Sequence, residues 1–293
     1  MGVIAEFGGH EKDLGGGFRV RRLLPALGRQ SVGPFLFFDH FGPVTIEPAM
    51  DLDVRPHPHV GLATVTYLFD GAMMHRDSLG CVQRIEPGAI NWMTAGRGIV
   101  HSERRPEDLA TRSYGLHGLQ LWAALPRSLE ESDPSFVHTP AEDIPAFTAG
   151  AARGRVLVGN AFGCTSPVLA ASPTLYVDLE LDAGAEIVVP PLARELAVYP
   201  IDGAVRIDGR DVARQTMAVV DAERPFQLEA PRRVRLVLIG GDPLDGRRHL
   251  YWNFVSSRKE RILAAAADWE ARRFPGIEGD DTFIPLPENR PAP

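Results

Sequence analysis

The sequence is poor in cysteine and carries no excess of positive charge. Among its 293 residues only Cys81 and Cys164 are cysteines, so neither a disulfide framework nor a cysteine-based zinc site can be built. The net charge of −7 disfavours direct binding to nucleic acid. Arginines are numerous, but they are interleaved with acidic residues, as on a solvated protein face.

Long apolar runs and targeting signals are also missing. The longest apolar runs, such as residues 262–267, are far shorter than a membrane-spanning helix. The N-terminal stretch MGVIAEFGG has neither the basic nor the apolar region of a secretory signal. Together with the low cysteine content, these absences predict a cytoplasmic protein that does not enter membranes.

Several common catalytic motifs are absent from the sequence, among them GxSxG, the P-loop and HExxH. Gly96-Arg97-Gly98 gives half of a dinucleotide-binding GxGxxG, but His101 stands where the last glycine is required. Cys81 lies in the strand-like stretch LGCVQRI and is interpreted as a packing residue rather than a redox thiol.

The strongest positive signal is two pairs of metal-ligand residue types. His57 and His59 form the first pair, and His101 and Glu103 form the second. Side chains two apart on a β-strand point to the same face, so each pair can aim two ligands at one point. Three imidazoles and one carboxylate suit Fe, Mn, Ni, Cu or Zn. A six-coordinate ion would keep two positions open for water, O₂ or substrate, which predicts a catalytic rather than a closed structural site.

The stretch between the two pairs has the composition of an antiparallel β-fold. Short runs rich in β-branched and aromatic residues, such as ATVTYLF (63–69) and AINWMT (89–94), alternate with Gly and Pro turns. LHGLQLWAAL (116–125) predicts a long strand that closes this first β-domain. Residues 126–145 are polar and rich in proline, and they are interpreted as a connection between two domains.

The second half of the chain predicts another set of short strands, over residues 154–240. It holds no histidine between residues 139 and 248, which excludes a second histidine-based metal site there. Ser257 to Glu260 has the form of a capping box. Apolar residues at helical spacing behind it predict a helix from about 258 to 273.

The remaining histidines are secondary candidates. His40 ends the buried run FLFF and is more readily explained as a structural hydrogen-bonding residue than as a ligand. His117, on the predicted long strand, ranks behind the two pairs, and His138 is expected on the surface. Four apolar residues could line a substrate pocket, but packing in the hydrophobic core would explain them equally well. They are Phe69, Met73, Trp92 and Met93.

Taken together, the chain resembles the pirin family of the cupin superfamily. The stretches that carry the resemblance are GPFLFFDHFGP (33–43), DVRPHPHVGLATVTYLFDG (53–71), HRDSLG (75–80), EPGAINWMTAGRGIVHSE (86–103), GLQLWAALP (118–126) and RHLYWNFVSSRKERI (248–262). The resemblance implies an all-β fold of two cupin-type (jelly-roll) β-barrels packed face to face, with a C-terminal helix. The corresponding domains are residues 1–130, which carry the metal site, and residues 131–293, which lack metal.

The same resemblance implies a ligand set, an ion and two kinds of function. The ligands are His57, His59, His101 and Glu103, and the ion is Fe(II), with Zn, Mn, Ni or Cu as alternatives. Cupins in general take a glutamate four or five residues after the HxH pair, where this chain has Ala63 and Thr64.

Some pirins resemble quercetin 2,3-dioxygenases, which open a flavonol ring with O₂; Glu103 is then the candidate base. Others are iron-dependent, redox-sensing proteins that regulate a transcription factor or a metabolic enzyme by binding. The partners to expect are therefore a small phenolic substrate with O₂ or, in the alternative, a protein.

Overall fold

The computed structural model describes residues 2–14 and 18–289, and most of its regular elements are strands. These residues contain one α-helix, α1 (Lys259–Glu270). No helix in the described ranges has the length and apolarity that a membrane span requires. Short 3₁₀ turns are found at Glu107–Leu109, Arg127–Leu129 and Ala141–Asp143.

The strands of the first half of the chain include most of those predicted from the sequence. The predicted long strand is confirmed as β11, and the runs at 63–69 and 89–94 are confirmed as β6 and β9. In chain order these strands are β1 (Val3–Gly8), β2 (His10–Asp13), β3 (Arg19–Leu24), β4 (Phe35–Ile46), β5 (Val54–His59), β6 (Leu62–Asp70), β7 (Met73–Asp77), β8 (Val82–Ile85), β9 (Ile90–Thr94), β10 (Ile99–Arg104), β11 (Tyr114–Ala124) and β12 (Ser135–Thr139).

The second half is also built from strands, as its alternating pattern predicts. These are β13 (Ala146–Ala149), β14 (Ala152–Val158), β15 (Asn160–Ala161), β16 (Cys164–Thr165), β17 (Thr174–Leu181), β18 (Glu186–Val189), β19 (Glu195–Pro200), β20 (Val205–Ile207), β21 (Arg210–Val212), β22 (Thr216–Val220), β23 (Phe226–Glu229), β24 (Val234–Gly241), β25 (His249–Tyr251) and β26 (Phe254–Ser256).

The chain divides into two compact units, each assembled from three segments. The first unit consists of Lys12–Val20, His40–His138 and Asp245–Pro293. The second unit consists of the other three segments, Met1–Glu11, Arg21–Asp39 and Thr139–Leu244. This division differs from the single boundary near residue 130 that the sequence predicts, because the C-terminal segment and its helix belong to the first unit.

The first unit contains the four-stranded sheet β5-β10-β7-β8 and a seven-stranded sheet in the order β12-β9-β6-β11-β4-β3-β2, whose strands β2 to β4 cross the unit boundary. Apolar side chains from both sheets meet in one buried cluster, which stabilises the pair of sheets by removing apolar area from water. The cluster consists of Phe18, Val20, Phe41, Ile46, Leu68, Met73, Ile85, Ala89 and Leu116.

The second unit repeats this arrangement with a seven-stranded sheet, β1-β22-β19-β24-β17-β14-β13, and a four-stranded sheet, β18-β23-β20-β21. Its core is larger and almost entirely aliphatic, with side chains from both sheets such as Val177, Leu236, Ile187 and Leu228. Strand periodicity therefore buries one side of each sheet in the same way in both units. The predicted all-β fold of two cupin domains is confirmed.

The predicted helix is confirmed, but it is shorter than expected and its capping box is not formed. The helix begins after Arg258, which makes no side-chain capping hydrogen bond. Ser257 is engaged elsewhere: its hydroxyl donates to Glu130 at 3.0 Å and its backbone N–H donates to the same carboxylate at 2.8 Å. A buried acceptor thus competes successfully for the serine that would otherwise cap the helix.

The segment at 126–145 is more than a connection. It contains β12, which lies at one edge of the seven-stranded sheet beside β9. Phe136 on this strand packs against the buried cluster of Met93, Ala95 and Ile99. Period-2 alternation of exposure along β12 is visible in the structure but too short to stand out in a proline-rich sequence.

Candidate metal centre

The three histidines of the two sequence pairs meet on neighbouring strands. Strand β10 runs antiparallel to β5, and the register sets His101 opposite His57 and Ile99 opposite His59. Because side chains two apart share a face, this register turns all three imidazoles to one side of the sheet. Their solvent exposure is 6% for His57, 1% for His59 and 2% for His101, so the group is buried.

The three imidazoles are close enough to bind one ion. One ring nitrogen from each lies within 4.8 Å of the others. The Nε2 atoms of His59 and His101 are 3.0 Å apart, and the ring centroids of His57 and His101 are separated by 4.3 Å. His57 donates its Nδ1–H to the Arg55 carbonyl at 2.9 Å, which leaves its Nε2 lone pair available.

Burial keeps the three rings neutral at neutral pH. It lowers the pKa of His57 from 6.5 to about 4, and it holds the pKa values of His59 and His101 well below 6.5. A neutral imidazole offers a lone pair, which is the form that binds a metal. The buried, converging nitrogen donors therefore fit a divalent ion.

Glu103 lies outside the group of three ligand nitrogens. It follows His101 by two residues on β10, and the pairing with β5 shifts register here because three steps along β5, from His57 to Val54, stand opposite two steps along β10. Glu103 is partly buried, and burial raises its carboxyl pKa from 4.5 to about 7. The structure thus brings the three histidines together, and ligation by Glu103 stays a prediction.

Two side chains beside the group were missed by the sequence analysis. His75 and Asp77 on β7 are buried, and His75 Nε2 lies 2.9 Å from Asp77 Oδ2. His75 Nδ1 lies 3.4 Å from Nδ1 of His101. The i, i+2 spacing that identifies the other two pairs also holds for His75 and Asp77 and could have revealed them.

Aromatic side chains pack around the imidazoles. The Trp122 ring meets the His59 ring edge-on, with 5.1 Å between centroids. Phe136 stacks on His75 at 4.2 Å with the rings inclined by 15°. Of the expected pocket residues, Met73 belongs to the core cluster and Phe69 packs against His117. The aromatic residue in contact with His59 is instead Trp122, which was not among those expected.

The three histidines that were secondary candidates in the sequence form hydrogen bonds away from this group. Nε2 of the buried His40 lies 2.8 Å from Nε2 of His117, and neither ring belongs to the three-histidine group. His138, which was expected on the surface, is half-buried, with Nδ1 at 2.7 Å from the Asn91 side-chain oxygen. Its strand, β12, was not recognised in the sequence, so its environment could not be either.

The C-terminal segment makes backbone hydrogen bonds to the residues on either side of the HxH pair. Val255 donates its backbone N–H to the Val60 carbonyl at 3.0 Å, and Ile284 donates to the Pro56 carbonyl at 2.9 Å. These two hydrogen bonds flank the HxH pair. Apolar residues of α1 bury Val60 and Val100 in one cluster, whose other fully buried members are Phe254, Ile262, Ala265, Trp269 and Ile277.

A large groove lies elsewhere in the protein. It belongs to the second unit, encloses about 1080 Å³ and is lined by residues such as Thr165, Ser166 and Glu195. No histidine is among its described lining residues. The chemistry of the donor set, rather than the size of a groove, therefore locates the candidate site.

Comparisons with known proteins agree with this architecture. A Pirin-like protein of Caulobacter vibrioides is 45% identical over 288 residues, which cover 96% of this chain and 98% of that protein. Pirin of Rattus norvegicus is 36% identical over 282 residues, covering 93% of each. The crystal structure of quercetin 2,3-dioxygenase from Acinetobacter baumannii matches with a TM-score of 0.90 at 35% identity, covering 99% of this chain and 96% of that one.

Family assignments cover both units. Residues 17–123 match the Pirin family, and residues 176–275 match the Pirin C-terminal cupin domain. The first range contains all three clustered histidines, whereas the second contains only the histidine at position 249. On these matches, the chain belongs to the pirin family.

Proposed function

We propose that this protein is a metal-dependent dioxygenase that opens the ring of a quercetin-type flavonol with O₂. The observation that carries the proposal is the convergence of three buried, neutral imidazoles, and Glu103, two residues after His101 on β10, has a carboxyl group of raised pKa. A crystal structure of a quercetin 2,3-dioxygenase that is 35% identical over nearly the whole chain supports the choice of reaction. The fold alone would not support the choice of reaction, because one fold hosts many activities.

The residues proposed to hold the ion are His57, His59, His101 and Glu103, and Fe(II) is the proposed ion. Imidazole ligands with one carboxylate also suit Zn, Mn, Ni or Cu, so the identity of the ion rests on the proposed reaction. When bound, the ion supplies positive charge that favours the ionised form of an enolic substrate hydroxyl, and a site for O₂ chemistry.

Glu103 is the proposed base. A general base works best when its pKa is near the operating pH, and in the metal-free protein burial raises the pKa of the Glu103 carboxyl to about 7. An exposed glutamate, with a pKa near 4.3, would accept a proton much less readily. Glu103 therefore accepts the proton of the substrate hydroxyl, while the neutral histidines keep their lone pairs for the ion.

The wall next to the imidazoles suits an aromatic substrate that carries hydroxyl groups. Trp122 contacts His59, and the strand register places Thr64 opposite Trp122 and Thr66 opposite Gln120. Side-chain alternation puts all four on the same face. The Thr66 hydroxyl donates to the Gln120 side-chain oxygen at 2.8 Å, which leaves the Gln120 amide N–H groups for a ligand.

The test is anaerobic reconstitution with Fe(II), followed by addition of quercetin and O₂. Flavonol absorbance and carbon monoxide release are followed together in the intact protein and in a His57→Ala variant. Loss of absorbance with carbon monoxide release, both absent in the variant, is the expected result. Tight iron binding without turnover would contradict the proposal and would favour the iron-dependent, redox-sensing binding protein instead.

The cellular setting proposed for this reaction is the cytoplasm. Both cysteines, Cys81 and Cys164, are free thiols in the structure, which suits a reducing compartment. The proposed partners are then the phenolic substrate and O₂. A protein partner belongs to the alternative function.

A further inference from the structure

Asp77, His75 and His101 form a continuous line of contacts that ends at the three-imidazole group. Asp77 Oδ2 lies 2.9 Å from Nε2 of His75, and His75 Nδ1 lies 3.4 Å from Nδ1 of His101. We propose that Asp77 and His75 are positioning residues that fix the tautomer and orientation of His101 for metal binding. The proposal rests on the proposed metal site but can be tested separately from it.

The direction of the first hydrogen bond follows from the surroundings of Asp77. Its other oxygen, Oδ1, already accepts two backbone N–H groups, from Leu79 at 2.9 Å and from Cys81 at 3.1 Å. A carboxylate has only acceptor positions, so Oδ2 accepts as well. His75 must therefore donate its Nε2–H to Asp77.

The direction of the second hydrogen bond follows from the first. A neutral imidazole has one N–H and one lone pair, so a His75 ring that donates from Nε2 presents a lone pair at Nδ1. That lone pair accepts the Nδ1–H of His101. His101 then has its own lone pair at Nε2, the atom that lies 3.0 Å from His59 Nε2 within the three-imidazole group.

Packing and strand pairing hold this line in place. Register between β10 and β7 sets His101 opposite Asp77 and Glu103 opposite His75. His75 and Asp77 are almost completely buried, and Phe136 stacks on the His75 ring, which restricts its rotation. Hydrogen-bonded partners behind a metal-binding histidine typically change metal affinity by about 10- to 100-fold.

The discriminating variant is Asp77→Asn, which keeps the shape of the side chain. The two backbone N–H groups at Oδ1 require an acceptor, so the asparagine carbonyl must stay there and its NH₂ group must face His75. His75 would then accept at Nε2 and carry its proton on Nδ1. His101 would have to present a lone pair at Nδ1 and carry its proton on Nε2, where the metal should bind.

A matched control lies between the two residues on the same strand. Arg76 points to the opposite face of β7, because side chains alternate along a strand. An Arg76→Gln variant therefore perturbs β7 without touching the line of hydrogen bonds.

The experiment has two readouts. Zn²⁺ affinity is measured by competition with a chelator, and long-range ¹⁵N–¹H spectra of the metal-free protein show which ring nitrogen of each histidine carries the proton. We expect protons on His75 Nε2 and His101 Nδ1 in the native chain. Asp77→Asn should move both protons and weaken Zn²⁺ binding about 10- to 100-fold, while Arg76→Gln changes neither.

The possible negative results distinguish the positioning role from the metal site. Protons found on His101 Nε2, or on both nitrogens of His75, in the native chain would overturn the positioning role, and this measurement stands even if Asp77→Asn does not fold. Unchanged Zn²⁺ affinity in a folded Asp77→Asn protein would overturn it as well. A native chain that binds no Zn²⁺ but shows the expected tautomers would refute the metal site and leave the hydrogen-bonded line intact.

Discussion

The Nε2 atoms of His59 and His101 lie 3.0 Å apart in the interior of the first unit. A proton added to either ring would place a charge in a buried group of imidazoles, and burial accordingly lowers both pKa values. The close approach of these nitrogens makes the metal-free protein sensitive to acid.

We expect the metal-free protein to lose stability as the pH falls from about 6.5 to about 4. The His57 pKa is 6.5 in the unfolded chain and about 4 in the folded protein, so the unfolded chain binds more protons in this window. Its contribution is complete above pH 6.5 and falls by about 3 kcal/mol toward pH 4. The lowered pKa values of His59 and His101 also reduce the stability of the folded protein as the pH falls. Urea denaturation of chelator-treated protein across this range measures the effect.

Glu103 contributes to stability with the opposite pH dependence to the histidines, and a variant at this position supplies the control. Its pKa is raised from 4.5 to about 7 in the folded protein, so its contribution to stability is present below pH 4.5 and is lost as the pH rises toward 7. A Glu103→Gln variant lacks this opposing contribution and should lose stability more steeply in acid. A stability that does not depend on pH would contradict the account of buried neutral histidines.

Metal binding near pH 6 should release about one proton from Glu103. The carboxyl is largely protonated at this pH because its pKa is about 7, and a metal ligand must be deprotonated. Calorimetry in two buffers with different heats of ionisation measures the number of protons released.

Glu103→Gln should abolish this release and stop turnover of quercetin. Glu107→Gln, at an exposed position on the following 3₁₀ turn, is the matched control and should change neither. Full turnover by a metal-loaded Glu103→Gln protein would rule out Glu103 as the base.

Gln120→Leu should raise KM for quercetin about fivefold, which corresponds to one hydrogen bond of about 1 kcal/mol. The Gln120 side chain shares the face of Trp122, where a bound phenol would meet its amide. Iron content should not change, because Gln120 is not a ligand. Leu119→Met, on the opposite face of β11, is the control and should keep the native KM. An unchanged KM in Gln120→Leu would remove this residue from the substrate wall.

Glu130→Gln should destabilise the protein by about 3 kcal/mol, because it leaves the buried Arg248 with less compensation for its charge. Arg248 Nε lies 2.8 Å from Glu130, and both side chains are almost fully buried. Ser256 also donates its hydroxyl to this carboxylate. Glu131→Gln is the control, since its partners Arg258 and Arg261 form surface pairs worth less than about 1 kcal/mol. Equal effects of the two variants in urea denaturation would contradict this account.

Local periodicity accounts for what the sequence could predict. His57 and His59 are two apart on a strand, and so they share a face wherever that strand lies. The same rule applies to His101 on β10. What it cannot supply is the distance between the strands, which depends on the register of β5 with β10.

Long-range pairing accounts for what the sequence could not predict. Trp122 meets His59 where β11 pairs with β6, the strand that follows β5 in the chain, and Phe136 meets His75 where β12 joins the sheet edge. The capping box at Ser257 failed for the same reason, because its competitor Glu130 is distant in the chain. Local patterns do not report partners that folding brings from elsewhere.

The two hydrogen bonds that the C-terminal segment makes to Pro56 and Val60 link the HxH pair to residues that are synthesised much later. All three imidazoles precede residues 139–244 in the chain, yet the residues that flank the HxH pair gain these hydrogen bonds only after residues 255 and 284 have been made. We expect nascent chains arrested before residue 284 to retain little metal in a pull-down assay. On this expectation, stable capture of the ion follows synthesis of residue 284, because the HxH pair lacks one of its two flanking hydrogen bonds until then.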